Sequence, residues 1–187
     1  MATLTPSDFT LYSGAAAGTE AAFGEAAERW GLEEVNFTFD GHQDVRTRGQ
    51  QLLSDAELSK GFVSLSYVAQ LMHRVYKDTP LFRKTLALQW HLVNAADQVF
   101  SVGWVKDDGT VKGGTGWGAE LAKLFRKELY VFDQSRGEWL RWDHLTWVPA
   151  DAPKITAQRF AATGTRLLED NGRAAIEALF ERSFGQG

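Results

Sequence analysis

Gly113-Gly114-Thr115-Gly116-Trp117-Gly118-Ala119-Glu120 decides how the rest of the chain is read. The stretch follows the apolar run of residues 99–105 and precedes Leu121, Ala122, Leu124 and Phe125, so it reads as a strand-to-helix turn. Its four glycines describe a backbone that comes very close to something. A phosphate is one candidate. Amides at a helix start point outward, and the helix dipole adds roughly half a positive charge there, so an anion is held with few side chains. A tight connection with no ligand produces the same pattern. What separates the two readings is whether other glycine turns meet this one.

Two more such turns are present. Phe9 to Ser13 is a strand candidate that runs through Gly14-Ala15-Ala16-Ala17-Gly18 into a helix, with Ala22, Phe23, Ala26, Ala27 and Trp30 at helical spacing and Gly31 as its stop. Near the other end, Arg159 to Ala162 leads through Thr163-Gly164-Thr165-Arg166 into a helix carrying Ala174, Ala175, Ile176, Leu179 and Phe180.

Between these units, Glu34 to Asp40 alternates as a strand and ends in a polar loop, 41–49, that carries His42, Arg46 and Arg48. Residues 54–94 are mostly helical in pattern, with Ser54 and Glu57 as a capping box, Pro80 in a first turn, and Arg83-Lys84 early in the last helix. Residues 99–105 form a fully apolar strand of the kind buried on both faces of a parallel sheet, and 129–132 the next strand. The tryptophan-rich 137–148 reads as a hairpin or as an irregular cover over one sheet end.

Alternating strands and helices predict one three-layer α/β domain over residues 1–187, Rossmann-like, with a mostly parallel sheet and helices on both faces. Parallel strands carry their turns on one edge, so all three glycine turns are expected to open on one rim.

Composition narrows the function classes. The net charge is −4 and the pI near 5.6, so there is no global basic field and nucleic acid is an unlikely partner. No cysteine is present, which excludes disulfides, thiolate metal sites and a catalytic thiol. The start MATLTPSDFT lacks a basic segment followed by an apolar one, and no apolar run spans a bilayer, so the expectation is a cytoplasmic protein without a membrane partner. His42, His73, His91 and His144 lack metal-ligand spacing, and no metal is expected. Ser13 is not a nucleophile elbow, because Leu11 and Ala15 stand where glycines are needed.

Ser13-Gly14, three residues, Gly18, Thr19, Glu20 resembles a signature of the Rossmann-like SLOG superfamily. That superfamily includes the DNA-processing protein DprA, the molybdenum cofactor carrier proteins, the YpsA-like proteins and the LOG (lysine decarboxylase-like) phosphoribohydrolases. Gly113 to Glu120 resembles the LOG signature proline-glycine-glycine-x-glycine-threonine-x-x-glutamate, and Arg83-Lys84 resembles the arginine-lysine pair upstream of it. The departures are Lys112 in place of proline, Trp117 in place of threonine, and nine residues, 104–112, between the strand and Gly113.

The order of parts also differs, since the threonine-glycine-threonine-arginine turn comes last where DprA-like members have such a turn first. The resemblance therefore implies a circular permutation, and predicts that strand 159–163 lies between strands 9–13 and 99–105.

The resemblance implies that a nucleotide or related phosphorylated small molecule, with molybdopterin-type compounds included, is the ligand, with no other cofactor assigned. Its expected contacts are Ser13, Gly14, Gly18, Arg46, Gly113, Gly114, Thr115, Gly116, Trp117, Thr163, Gly164, Thr165 and Arg166, with Arg48 or Arg83 as other arginine candidates and Trp104 a second stacking ring. The alternative is LOG-like hydrolysis of the N-glycosidic bond of a nucleoside 5′-monophosphate, with Glu120 as the carboxylate and Arg83 as its partner. In that case Glu120 must face the glycine turns. A homodimer is also implied, for which the seven tryptophans offer an aromatic interface.

Overall fold

A computed structural model describes residues 3–76 and 79–185. The elements run β1 (Thr10–Ser13), α1 (Thr19–Trp30), β2 (Glu33–Thr38), β3 (Gln50–Leu52), α2 (Asp55–Ser59), α3 (Phe62–Leu71), α4 (Pro80–Ala95), β4 (Gln98–Gly103), α5 (Thr115–Leu124), β5 (Glu128–Asp133), β6 (Glu138–Trp142), β7 (Trp147–Pro149), β8 (Arg159–Gly164) and α6 (Asp170–Phe184). The strands form one sheet in the order β3-β2-β1-β8-β4-β5-β6-β7. Pairings from β3 through β5 are parallel, and β6 and β7 extend the sheet antiparallel.

The C-terminal strand β8 therefore lies between β1 and β4, as the sequence predicts. The tryptophan-rich segment is a hairpin that joins the sheet edge, not an irregular cover. Asp143 closes its turn by accepting the amides of Leu145 at 2.9 Å and Thr146 at 2.7 Å. The short edge strand β3 has no sequence signal, because Gln50, Gln51 and Leu52 are all exposed and show no alternation.

Successive strand residues feed opposite layers. From β4, Val99 joins a core under α2 to α5, while Phe100 and Val102 join the core under α1 and α6; β8 divides Ala161 from Phe160 and Ala162 in the same way. All six residues of β4 are buried, as a central parallel strand requires. Caps set the helix ends. Ser54 and Glu57 form the reciprocal capping box of α2, Pro80 opens α4, and Gly31, at φ 77°, ends α1 in the left-handed conformation that glycine adopts without strain.

The chain returns from the hairpin to the sheet centre below β4. There Gln98 accepts the Thr156 amide at 3.0 Å and donates to the Lys154 carbonyl at 3.1 Å. Among the described residues no helix is long and apolar enough to cross a membrane.

Candidate functional site

β1, β8 and β4 are adjacent and parallel, so their C-terminal turns meet on one edge. A cleft of about 570 Å³ opens there, within the range of small-molecule sites. The first turn lends it Ala16 and Glu20, the second Trp104, Lys112, Gly113, Gly114 and Thr115, and the third Thr163, Gly164, Thr165, Arg166 and Leu167. Helix α4 forms the wall opposite with Leu81, Phe82, Thr85, Leu88 and Gln89, and the loop after β2 adds His42 and Gln43.

The second turn is built to present amides. Residues 104–112 do not separate Gly113 from the strand, because Val105 and Val111 bridge and the Lys112 amide donates to the Trp104 carbonyl at 2.9 Å. The excursion thus returns to its start. From outside, Arg74 donates to the carbonyls of Val111 at 2.8 Å and Gly113 at 2.9 Å. From the interior, Gln89 Nε2 donates to the Gly114 carbonyl at 3.3 Å. Among the described residues no hydrogen bond engages the amides of Gly113, Gly114 or Thr115. They stand at the N-terminus of a ten-residue helix, where an anion is favoured. Gln89, 8% exposed, keeps an Oε1 without a partner among the described residues.

The first turn is different, because a carboxyl group of the chain already sits on it. Glu20 folds back from α1 to accept the Ala16 amide at 3.0 Å, and the Gly14 backbone and the Thr163 side chain also favour its charged form. Burial nevertheless raises its pKa above the ordinary carboxylate value, with Arg166 pulling the other way. Gly14 and Gly18 serve packing. A Cβ on Gly14 would lie 2.7 Å from Leu88 Cδ2, and one on Gly18, at φ 87°, 2.6 Å from the backbone of Arg166. Ser13 is fully buried and its Oγ accepts the Ala15 amide at 3.2 Å.

The third turn is locked to the first. The Thr165 carbonyl accepts both the Thr19 amide at 3.1 Å and the Thr19 hydroxyl at 2.9 Å, and a Cβ on Gly164 would lie 2.6 Å from the Thr19 side chain. This places Arg166 at the mouth, exposed. Neither Arg166 nor Lys112 enters an ion pair among the described residues; Lys112 lies 5.4 Å over the Trp104 ring. His42 has its pKa lowered by burial, with Asp44 opposing and Arg166 adding to the shift, so its imidazole is neutral at pH 7.

A raised pKa on Glu20 has a signed consequence for stability. Its contribution is fully present below the ordinary carboxylate value and is lost as pH rises through the folded-state value. Glu20→Gln cannot ionise. In urea unfolding of both proteins at pH 4 and pH 8, wild type is expected to lose stability relative to the variant on going to the higher pH. A difference that stays flat or runs the other way would show that burial does not dominate Glu20.

Several expected site residues lie elsewhere. Glu120 does not face the cleft: it pairs with Lys123 at 2.7 Å, and that ammonium sits 4.0 Å over Trp142 and 5.0 Å over Trp147 at the hairpin. Arg83 is also outside the cleft lining, stacked 4.5 Å over Phe62 and 5.3 Å over Tyr76. Trp117 is core, 3% exposed, against Tyr76 and Phe82. Gly116 packs against the Val111 carbonyl and Arg74, where no Cβ fits.

Arg46 and Arg48 are structural as well. Both reach the buried carboxylate of Glu34, at 3.0 Å and 2.6 Å, and Arg46 also pairs with Glu28. Glu34 keeps Arg48 and Asn36 when Arg46 is removed. Arg46→Met is therefore expected to lower the unfolding free energy by about 1–3 kcal/mol in a urea titration and to leave ligand binding at the cleft unchanged.

The loop carrying His42 is placed at the ligand edge by its position after a strand. The lining residues not expected as contacts each left some trace: Glu20 ends the serine-glycine signature, Lys112 directly precedes the glycines, and Gln89 is a polar side chain among the apolar positions of α4. Among the described residues no three His, Asp or Glu side chains converge as a metal site.

No protein family and no curated protein matches the chain by sequence. A crystal structure described as a "putative molybdenum carrier protein" from Syntrophus aciditrophicus is similar in three dimensions, with a TM-score of 0.55 and 14% identity over 96% of each chain. At that identity the likeness shows a shared Rossmann-like α/β fold, and a match along the length of both chains lends no support to a permutation.

Proposed function

We propose that the protein binds a phosphorylated small molecule, a nucleotide or a molybdopterin-type compound, with its phosphate on the amides of Gly113, Gly114 and Thr115. The observation that carries this reading is that these unengaged amides line a cleft of ligand size while Arg74 and Gln89 tie down the carbonyls behind them. Lys112 and Arg166 supply the positive charge, and Thr115 and Thr165 supply hydroxyls. Trp104, Leu81 and Phe82 offer flat apolar surface for a ring. The carrier description of the similar structure accords with a ligand that is held rather than transformed. The hydrolase alternative assigns the carboxylate beside the bound sugar to Glu120, which is not in the lining.

The test is thermal unfolding with nucleoside mono-, di- and triphosphates, molybdopterin-type compounds and the matching nucleosides, each hit being assayed by chromatography for released base. Phosphate-dependent stabilisation of about 2.7 kcal/mol is expected at a hundred times the dissociation constant. Stabilisation that is equal with and without the phosphate overturns the reading.

We further propose that a second copy of the chain meets this one at α3, as the homodimer implied by the resemblance. None of the seven tryptophans is exposed, so they form no open aromatic surface. Helix α3 carries no charged residue and exposes Val63, Tyr67 and Leu71 at helical spacing, so a second copy meets it without like-charge repulsion. Tyr67→Lys is expected to halve the mass seen by sedimentation; an unchanged mass assigns the contact elsewhere.

A further inference from the structure

We infer that Glu20 selects the far end of the ligand: the cleft takes a phosphomonoester whose other end is an amino-bearing heterocycle, its N–H groups toward Glu20 and its phosphate on Gly113 to Thr115. This rests on the phosphate seat proposed above. Glu20 is itself 8% exposed and lines the cleft.

The anion seat of the first turn is already filled. The Ala16 amide, which would hold a phosphate, holds the Glu20 carboxylate instead. A second phosphate there would have to displace the chain's own carboxylate and meet its charge. The cleft thus has one phosphate seat and, at the other end, an acceptor.

Strand order puts those ends on different turns. Glu20 follows β1 and Gly113 to Thr115 follow β4, with β8 between. The two strands that carry those turns are two spacings, about 10 Å, apart. A ligand that touches both ends is nucleotide-sized, and its two ends are chemically unlike.

The surroundings of Glu20 specify the far end further. An ionised carboxylate offers about four acceptor positions. Among the described residues the Ala16 amide takes one, which leaves room for a ligand donor. Leu88 provides an apolar wall close by, within 2.7 Å of where a Gly14 Cβ would stand, and Glu20 Oε2 lies 3.0 Å from the same point. A flat ring lying on Leu88 would bring its exocyclic amino group to the open position, and N–H donation to a carboxylate is stronger than to a neutral acceptor. Adenine, guanine and a pterin share that chemistry.

The experiment is calorimetric titration of wild type and Glu20→Gln with ribose 5-phosphate, adenosine and guanosine 5′-monophosphates, a phosphorylated pterin, and purine riboside 5′-monophosphate, which has no amino group. In wild type the tightest amino-bearing compound is expected to bind about tenfold better than purine riboside monophosphate; which compound it is identifies the ring. In Glu20→Gln this ratio is expected to fall toward one while ribose 5-phosphate binds as before.

Equal affinity with and without the amino group in wild type overturns the inference and leaves the phosphate seat standing. A ratio that survives Glu20→Gln removes Glu20 as the selecting residue. Loss of all phosphate-dependent binding, ribose 5-phosphate included, overturns the seat and this inference with it. If Glu20→Gln does not fold, the wild-type ratio still decides whether an amino group is read.

Discussion

Gly114→Asp is expected to weaken phosphate-dependent binding strongly and leave the protein folded. Gly114 is the N-cap of α5 at φ −61°, a conformation open to any residue, and a Cβ built on it meets nothing within 4 Å. An aspartate there sets a carboxylate beside the unengaged amides of Gly113, Gly114 and Thr115. The variant would therefore do to the second turn what Glu20 already does to the first. Two unit charges about 4 Å apart repel by roughly 4 kcal/mol near a protein surface, so the loss in affinity is expected at about 30- to 1,000-fold. Gly114→Ala is the control, since it adds the same Cβ without the charge. Titration of a phosphate-bearing ligand into both variants measures the difference, and equal losses in the two would place the phosphate elsewhere.

Phe100→Ala should have the largest effect on stability. Phe100 is fully buried on β4 and meets the rings of Phe23, Tyr130, Trp139 and Phe160 at centroid distances of 6.4, 5.3, 5.9 and 6.3 Å. It thereby joins β4, β5, β6, β8 and α1 in one core. Truncation of a buried phenylalanine costs about 3–5 kcal/mol, counting both the lost transfer energy and the cavity left behind. Against a typical stability of about 5–15 kcal/mol this is a large fraction. The urea midpoint should fall with an unchanged slope. A shift below about 1 kcal/mol would mean that the aromatic cluster repacks around the gap.

The order of strands and helices was legible in the chain because it rests on local patterns. The alternation in 34–40, the unbroken apolar run in 99–105 and the helical spacing of Ala22, Phe23, Ala26 and Ala27 each report burial at a fixed period. The central place of β8 came from the order of its turn motif, and the topology bears that placement out. The permutation inferred from the same order gains nothing from the end-to-end structural match. Elements without a burial pattern were not legible, as with β3, whose three residues are all exposed.

By itself the sequence determined that three glycine turns follow strands of one sheet, and parallel direction then puts them on one edge. Only the tertiary structure decided which turn is open to a ligand and which side chains face it. In the first turn Glu20 returns to occupy the Ala16 amide, a contact set by how α1 seats on β8 and not by the motif's spacing. On α5 the choice is made by rotation about the helix axis. At about 100° per residue, Glu120 lies roughly 140° around from Thr115. Burying Ala119, Leu121 and Ala122 against the sheet turns Thr115 toward the cleft, Trp117 into the core and Glu120 toward Lys123 and the hairpin. A motif fixes the order of residues along a helix; the packing of its apolar side fixes where each of them points.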